Sequence, residues 1–465
     1  MTAEVAILNK LAVSLAADSA VTTGFPGRER IFTSANKIFT LSKYAPVGVM
    51  IYGHVEHCSV PWEMIIKEFR KELGSKKYGR IGEYSDAFNK FYSQAKFVTE
   101  TTQQVTVLGA AVSAYQTLRA EIQDNKKNFV AKEIEKAYDR MENILETYKD
   151  LNCFGDLSKR KFMIKYNNVF SSLFDQNEAF HIDLPAAVRT RFKELVYLIL
   201  RSSMPSKFAT GLVITGFGED EIFPSLKEEQ VDGAIFDCCR IISGDYIDID
   251  RRRETVYVKA FAQDDVVNSF LHGVDDRYKQ YLFRMLNVFM GDFLNEILKD
   301  HTSYDEEEKN VVRTLVRSRV KDSIDGFKSK MSNFCSNNYI MPVEDVLRSA
   351  PKDELAHVAE ALVSLTSLKR KVAGDKETVG GPVDVAVISK GDGFVWIKRK
   401  HYFKPEMNHH FSRNYFNEGG DHGPAATKES SHKSGARAKS FSNGSATYAS
   451  ASSSHLVSKK RGSAS

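Results

Sequence analysis

Short apolar runs separated by turn residues open the chain. Val5-Ala6-Ile7-Leu8 and Ala12-Val13-Ser14-Leu15-Ala16 flank Asn9-Lys10, a pattern that predicts a β-hairpin. Lys37-Ile38-Phe39-Thr40-Leu41 and Val47-Gly48-Val49-Met50-Ile51-Tyr52 predict a second pair, and the near-continuous apolarity of the latter run predicts a strand covered on both faces. From Pro61 the period changes. Trp62, Ile65, Ile66, Phe69 and Leu73 recur at helical spacing, with Pro61 in the first turn and Gly74 just past the end. Helical patterns continue through 101–123, 128–151 and 184–203 to about Met204. Strand-like runs return at 210–217, 231–236, 246–249 and 255–258, separated by Gly, Asp and Arg turns. A second helical block spans about 266–371, interrupted near Ser336-Asn337-Asn338, its last helix running from Val343 to Lys371. Two closing strands, 383–388 and 394–398, lie around Lys390-Gly391-Asp392-Gly393. The expected order is strands, helices, strands, helices, strands, and no repeat of 20–50 residues is visible.

Composition adds limits. The 465 residues are 42% hydrophobic and 27% charged, an ordinary balance for a chain with room for more than one domain. The net charge of +5 belongs wholly to residues 421–465, where seven Lys/Arg meet two Asp/Glu; the remaining 420 residues balance at 58 against 58. A body so balanced is not built to grip nucleic acid, which leaves the basic tail as the place where RNA, DNA or an acidic partner could dock. The segment Lys398-Arg399-Lys400-His401-Tyr402-Phe403-Lys404 is a further basic stretch, read as a solvated strand end. Beyond about Phe416 the chain is rich in Gly, Ser, Ala, His and Lys, a composition that predicts disorder. Cys58, Cys153, Cys238, Cys239 and Cys335 lack paired metal-ligand spacing and read as reduced thiols of a cytoplasmic protein. Met1-Thr2-Ala3-Glu4 has no secretory pattern, and no apolar run is long enough for a membrane span. Neither a Walker-type lysine motif nor a strand-linked dinucleotide motif is present. No metal or cofactor is expected, and the grouping of His54, Glu56, His57 and Cys58 has no second cluster to complete a metal site.

Candidate chemistry gathers at the start of the chain. Removal of Met1, which precedes a small residue, would leave Thr2 carrying a hydroxyl and a free α-amine, a nucleophile and a base on one residue. The amine's ordinary pKa of about 7.7 to 8.0 leaves a useful fraction neutral near pH 7. Asp18 ends the second strand of the first hairpin, where pairing can return it beside Thr2 and where a carboxylate can hold a lysine. Lys37 opens the next strand, and an ammonium near Thr2 would lower the pKa of its hydroxyl and amine. Gly53, after the apolar strand, could present an unobstructed N–H to a developing oxyanion. Taken singly, Asp18 also reads as a turn residue, Lys37 as a surface charge and Gly53 as a strand terminator. His54 and His57 directly follow Gly53 and could line a substrate cleft.

Thr2, Asp18 in an Ala-Asp-Ser context, Lys37 before an apolar pair and Gly53 after a strand together resemble the N-terminal half of proteasome β-type subunits. The segment Thr378-Val379-Gly380-Gly381-Pro382-Val383-Asp384, behind a helix containing Ala361-Leu362-Val363-Ser364-Leu365, resembles the closing part of the bacterial proteasome-related Anbu branch, and 210–223 resembles the family's central strand. The likeness covers about 2–60, 207–262 and 345–400. It implies an α+β fold, the αββα four-layer sandwich of N-terminal nucleophile (Ntn) hydrolases, with large helical insertions and a disordered C-terminal tail. The implied division is 2–60 for the first part of the core, 61–206 for a core helix and helical insertion, 207–262 for central strands, 263–371 for helices, 372–403 for closing strands and 417–465 for the tail. It further implies a threonine peptidase in which Thr2 is nucleophile and base, Lys37 tunes it, Asp18 positions Lys37 and the Gly53 N–H serves an oxyanion hole. The family's supporting Ser and Asp match only loosely: Asp375 or Glu377 could supply the carboxylate, Thr378 the hydroxyl before Gly380, and nothing at 263–265 resembles its Ser-Gly turn. A homo-oligomer acting on a peptide or amide follows from the resemblance; an ATPase unfoldase partner is left open. Two further readings stand beside it: an Ntn amidase or acylase acting on a small molecule, and a non-catalytic scaffold binding a partner through the helical insert and basic tail.

Overall fold

The computed structural model describes residues 2–23, 30–122, 131–151, 158–175, 181–300, 306–373, 380–404 and 407–408, so Asp375, Glu377, Thr378 and the tail lie outside the described residues. The chain divides at Tyr402 into Met1–Tyr402 and Phe403–Ser465, and the first unit carries the elements named below. Its strands and helices run in order: β1 Ala3–Asn9, β2 Ala12–Ala17, β3 Val21–Thr23, β4 Arg30–Phe32, β5 Ile38–Thr40, β6 Val47–Gly53, β7 Glu56–His57 and β8 Val60–Pro61. Seven helices follow, α1 Trp62–Leu73, α2 Ile81–Tyr92, α3 Glu100–Glu121, α4 Ala131–Leu145, α5 Lys159–Lys165, α6 Asn167–Leu173 and α7 Ala186–Arg201. Strands β9 Thr210–Gly216, β10 Ser225–Ile235, β11 Cys238–Asp248 and β12 Val256–Ala262 lead into helices α8 Asp265–His272, α9 Asp276–Asp300, α10 Glu306–Cys335, α11 Met341–Ser349 and α12 Lys352–Val372. Strands β13 Asp384–Ser389 and β14 Gly393–Lys398 close the unit.

The result is a mixed α and β fold with two five-stranded antiparallel sheets, ordered β12-β1-β2-β13-β14 and β11-β10-β9-β6-β5. Alternation along β1 explains how the first sheet is buried on both faces. Ala6 and Leu8 join Val13, Leu15, Met50, Val213 and Leu226 in a cluster shared by both sheets, whereas Ala3, Val5 and Ile7 join Leu355, Ala359 and Leu362 of α12. A third cluster sets Trp62, Ile65, Phe69 and Phe88 of α1 and α2 against Val49, Ile51, Leu212 and Ile214 of the second sheet. The stripe read from the sequence for α1 is the face it buries, with Pro61 and Gly74 as its boundaries. Helices α3 to α7 have a core of their own, which reaches the second sheet through Ile235. No helix among the described residues is long and apolar enough to cross a membrane.

Three expectations about elements change. The runs at 231–236 and 246–249 belong to one long hairpin, β10 and β11, which turns at Phe236 and Asp237 with positive φ at both. The polar stretch Lys227-Glu228-Glu229-Gln230 conceals it: Glu228 and Glu229 are buried because Lys259 and Tyr52 bind the first, and Ser85, Asn89 and Lys227 the second. The expected interruption at Ser336-Asn337-Asn338 is a π-helical turn, Ser336–Ile340, that carries α10 into α11. The helix expected from Val343 to Lys371 is two helices, since Pro351 forces Ala350 into extended backbone.

Candidate active site

The strand registers bring one end of each sheet together. Ala3 is paired with Ala262 on one side and lies against Asp18 on the other, while Asp384 pairs with Ala17. In the second sheet Ile51 N–H bonds to the Lys37 carbonyl, so Lys37 faces β6 just before β5 begins. Glu4 lies one residue out of phase with Ala3 and Val5, on the β1 face that looks toward the second sheet. Thr2 shares that parity.

Asp18 is held by four donors. Its Oδ1 accepts from the Ala3 N–H at 3.0 Å and from Lys37 Nζ; its Oδ2 accepts from the Gly380 N–H at 2.9 Å and the Ala20 N–H at 3.3 Å. The hairpin, β5 and the segment entering β13 therefore meet on one carboxylate. Lys37 is 2% exposed and reaches past Asp18 to Glu4 Oε1, 3.1 Å away. This second contact is ionic and lacks the alignment of a hydrogen bond. Burial pushes the Glu4 carboxyl up from 4.5 to about 7; the Lys37 charge opposes the rise and the Asp18 charge adds to it. The Thr2 hydroxyl lies near enough to Glu4 to lower its pKa slightly, yet Thr2 Oγ1 is buried without a well-formed hydrogen bond among the described residues. A buried hydroxyl with an open valence is costly unless a ligand or reaction uses it.

Further groups surround this cluster. Gln263 donates its N–H to the Thr2 carbonyl at 3.2 Å, and its side-chain oxygen accepts from Arg370 Nε at 2.6 Å. Ala262, just before it, takes φ +62°, a left-handed conformation that L-residues with a Cβ adopt at a cost. Lys400 bonds both oxygens of buried Asp384 through its N–H and Nζ, and its pKa is lowered mainly by burial, with the Lys37 charge contributing. Lys398 pairs with Glu360. Two lysines of the basic stretch 398–404 are thus engaged within the fold.

The expected site residues separate into three groups. Thr2, Asp18, Lys37 and Gly380 come together as described. Gly53 ends β6 two residues beyond the partner of Lys37, on the same side of the second sheet; its φ of +81° and the Ala209 carbonyl, 2.6 Å from where a Cβ would sit, make the position specific to glycine. His54 follows it, with Nδ1 3.1 Å from the Glu56 carbonyl and its ring edge-on to Phe208. His57 does not reach Thr2. It is buried against Trp62 and Tyr92, with Nε2 3.5 Å from Cys239 Sγ, and burial lowers its pKa from 6.5 to about 4. Asp375, Glu377 and Thr378 lie outside the described residues. Glu4, Gln263, Asp384 and Lys400 were absent from the expected set. The detectable signal for Glu4 was a charged residue inside an otherwise apolar strand.

No family model matches the chain, and no curated protein matches it. Among solved structures it is similar to Anbu (ancestral beta-subunit) from Yersinia bercovieri, at 10% identity over 89% of this chain and 95% of that one, with a TM-score of 0.23.

Proposed function

We propose that the chain is a threonine-type N-terminal nucleophile hydrolase whose two sheets and outer helices form the αββα sandwich of that class. The sandwich reading is supported by three apolar clusters that lie, in turn, between the first sheet and α12, between the sheets, and between the second sheet and α1 and α2. The observation that carries the catalytic reading is the buried Thr2 hydroxyl, without a well-formed hydrogen bond among the described residues, beside an Asp18-bound Lys37. With Met1 removed, the α-amine takes the proton of Thr2 Oγ1 as the oxygen attacks an amide carbonyl. The Gly53 N–H receives the oxyanion, the Lys37 charge favours the alkoxide, and the leaving amine departs with the proton. Water, activated by the same α-amine, then hydrolyses the acyl-Thr2 ester.

A peptide is the first substrate reading. A small-molecule amide is the second, because the acyl-transfer step is the same for any amide carbonyl that reaches Thr2 Oγ1. Intact mass before and after treatment with a peptide epoxyketone tests the centre, because the reagent needs the hydroxyl for its ketone and the amine for its epoxide. One adduct, lost in Thr2→Ala, is the expected result. Absence of an adduct on folded protein lacking Met1 would remove the peptidase reading; small acyl amides would then be assayed. Failure of both substrate classes would leave the scaffold reading.

A further inference from the structure

Helices α9 and α10 stand apart from the site and from every core cluster. Spanning about 37 and 45 Å at 1.5 Å per residue, they pack antiparallel, with Phe283 early in α9 edge-on to Phe327 late in α10. No described side chain of α9 is buried, and in α10 only Ile324 and Cys335 are, among described residues. Leu282, Leu286 and Met290 form a half-buried stripe on α9. A second stripe, Tyr278, Tyr281, Met285, Phe289, Phe293 and Ile297, is uncovered, and Phe289 is 63% exposed. Two long helices without a buried face do not offset the entropy of ordering them.

We propose that this stripe is covered by a second copy of the chain, with the two α9 helices antiparallel about a twofold axis near Val288. Charge along α9 is what points to a second copy. Among the described side chains, the first half holds Asp276, Arg277, Lys279 and Arg284, a net of +2, and the second half holds Asp292 and Glu296, a net of −2. A twofold contact sets each positive half against the partner's negative half, whereas a parallel contact would oppose like charges. Area agrees. Half-exposed side chains of this size offer roughly 100 Å² each, so the stripe with Val288, Val311 and Leu315 approaches about 800 Å² per copy, the share of a standard interface. An apolar patch on a monomer is usually smaller. At Gly291 a Cβ would meet nothing within 4 Å, which leaves space for a close helix approach near the axis. The pairing goes beyond the hydrolase reading and stands whether or not Thr2 reacts.

Sedimentation equilibrium of the full chain tests it. Wild type should be dimeric or a multiple of dimers, and Phe289→Glu should shift the population toward half that mass while the circular dichroism spectrum is retained. Charge reversal supplies a second arm that misfolding would not reproduce: Lys279→Glu with Arg284→Glu, and separately Asp292→Lys with Glu296→Lys, should each dissociate the pair, and mixing the two variants should restore it. Val288→Cys should oxidise to a disulfide-linked dimer, and Tyr278→Cys, far from the axis, should not. A monomeric wild type, variants that remain dimeric, or a mixture that fails to reassociate would each overturn the proposal.

Discussion

Replacing Glu4 by Gln preserves side-chain shape and removes one ionisation from the centre of the candidate site. The Glu4 carboxyl rises from 4.5 to about 7 because burial disfavours its charged form more than Lys37 restores it. At about 1.4 kcal/mol per pH unit, that displacement corresponds to about 3 kcal/mol of folding free energy. The native state binds this proton more tightly than the unfolded chain does. The stabilisation is therefore complete below about pH 4.5 and is lost as pH rises through about 7. His57 acts oppositely over part of the range, since its pKa of about 4 removes stability as pH falls below about 6.5. The informative quantity is thus the difference between wild type and Glu4→Gln, in which His57 cancels. Urea unfolding of both proteins at constant ionic strength should show wild type losing about 3 kcal/mol relative to the variant between about pH 4.5 and pH 8, or about 4 °C in Tm for a unit of this size. A difference that stays constant with pH, or that moves in wild type's favour as pH rises, would refute the argument that Glu4 is a buried acid held between Lys37 and Asp18.

Other perturbations have equally direct readouts. Asp18→Ala strips Lys37 of its hydrogen-bonded carboxylate and leaves the Ala3, Ala20 and Gly380 N–H groups without that acceptor; we expect a loss of roughly 3 kcal/mol or more in urea unfolding, with Thr2 acylation abolished. Arg240 is buried on Asp232 and donates to the carbonyls of Leu200, Ile199, Ser202 and Met204, so Arg240→Met should cost roughly 3 kcal/mol and raise hydrogen exchange in α7 ahead of β1 and β2. Gly211→Ala would drive a Cβ to 1.9 Å from the Tyr52 ring and should destabilise by about 1–3 kcal/mol, read from the urea midpoint. His57→Phe should remove the stability loss of wild type between about pH 6.5 and pH 4, followed by Tm against pH.

Much of this arrangement is legible in the sequence because it rests on period and punctuation. Five apolar residues in a helical stripe identify the buried face of α1, and the turn expected at Asn9-Lys10 falls one residue later, at Lys10-Leu11, between β1 and β2. The grouping of Thr2, Asp18 and Lys37 is legible for a related reason: a tight hairpin returns Asp18 to the start of β1, and Lys37 begins the next apolar run. What escapes is burial of polar groups by partners distant in sequence. Glu228 looks solvent-facing until Lys259 and Tyr52 are brought to it, and the first half of β10, before Val231, is missed with it. Glu4 has Lys37 in the opposite sheet, Gln263 has Arg370 107 residues away, and His57 owes its neutrality to aromatic rings of α1 and α2. Hydropathy reports each residue's preference for water and carries no record of which charges tertiary structure will pair.

The charge count at the meeting of the sheets links the Glu4 prediction to the chemistry proposed for Thr2. Glu4, Asp18 and Asp384 bring three carboxyl groups against the two ammonium groups of Lys37 and Lys400. Among the described residues one carboxyl is therefore in excess, and Glu4, fully buried and least well bonded, is the group that takes the proton. A free α-amine on Thr2 changes that count, because its ammonium form would supply a third cation two residues from Glu4, on the same face of β1. In a low-dielectric interior that added charge favours ionised Glu4 and draws its pKa back toward 4.5. The pH-dependent difference between wild type and Glu4→Gln should then be near its full size in chain that retains Met1 and markedly smaller in chain that begins at Thr2, with intact mass assigning each preparation. An equal difference in both would mean that the Thr2 amine adds no cation to this cluster over that pH range, and would refute its coupling to Glu4.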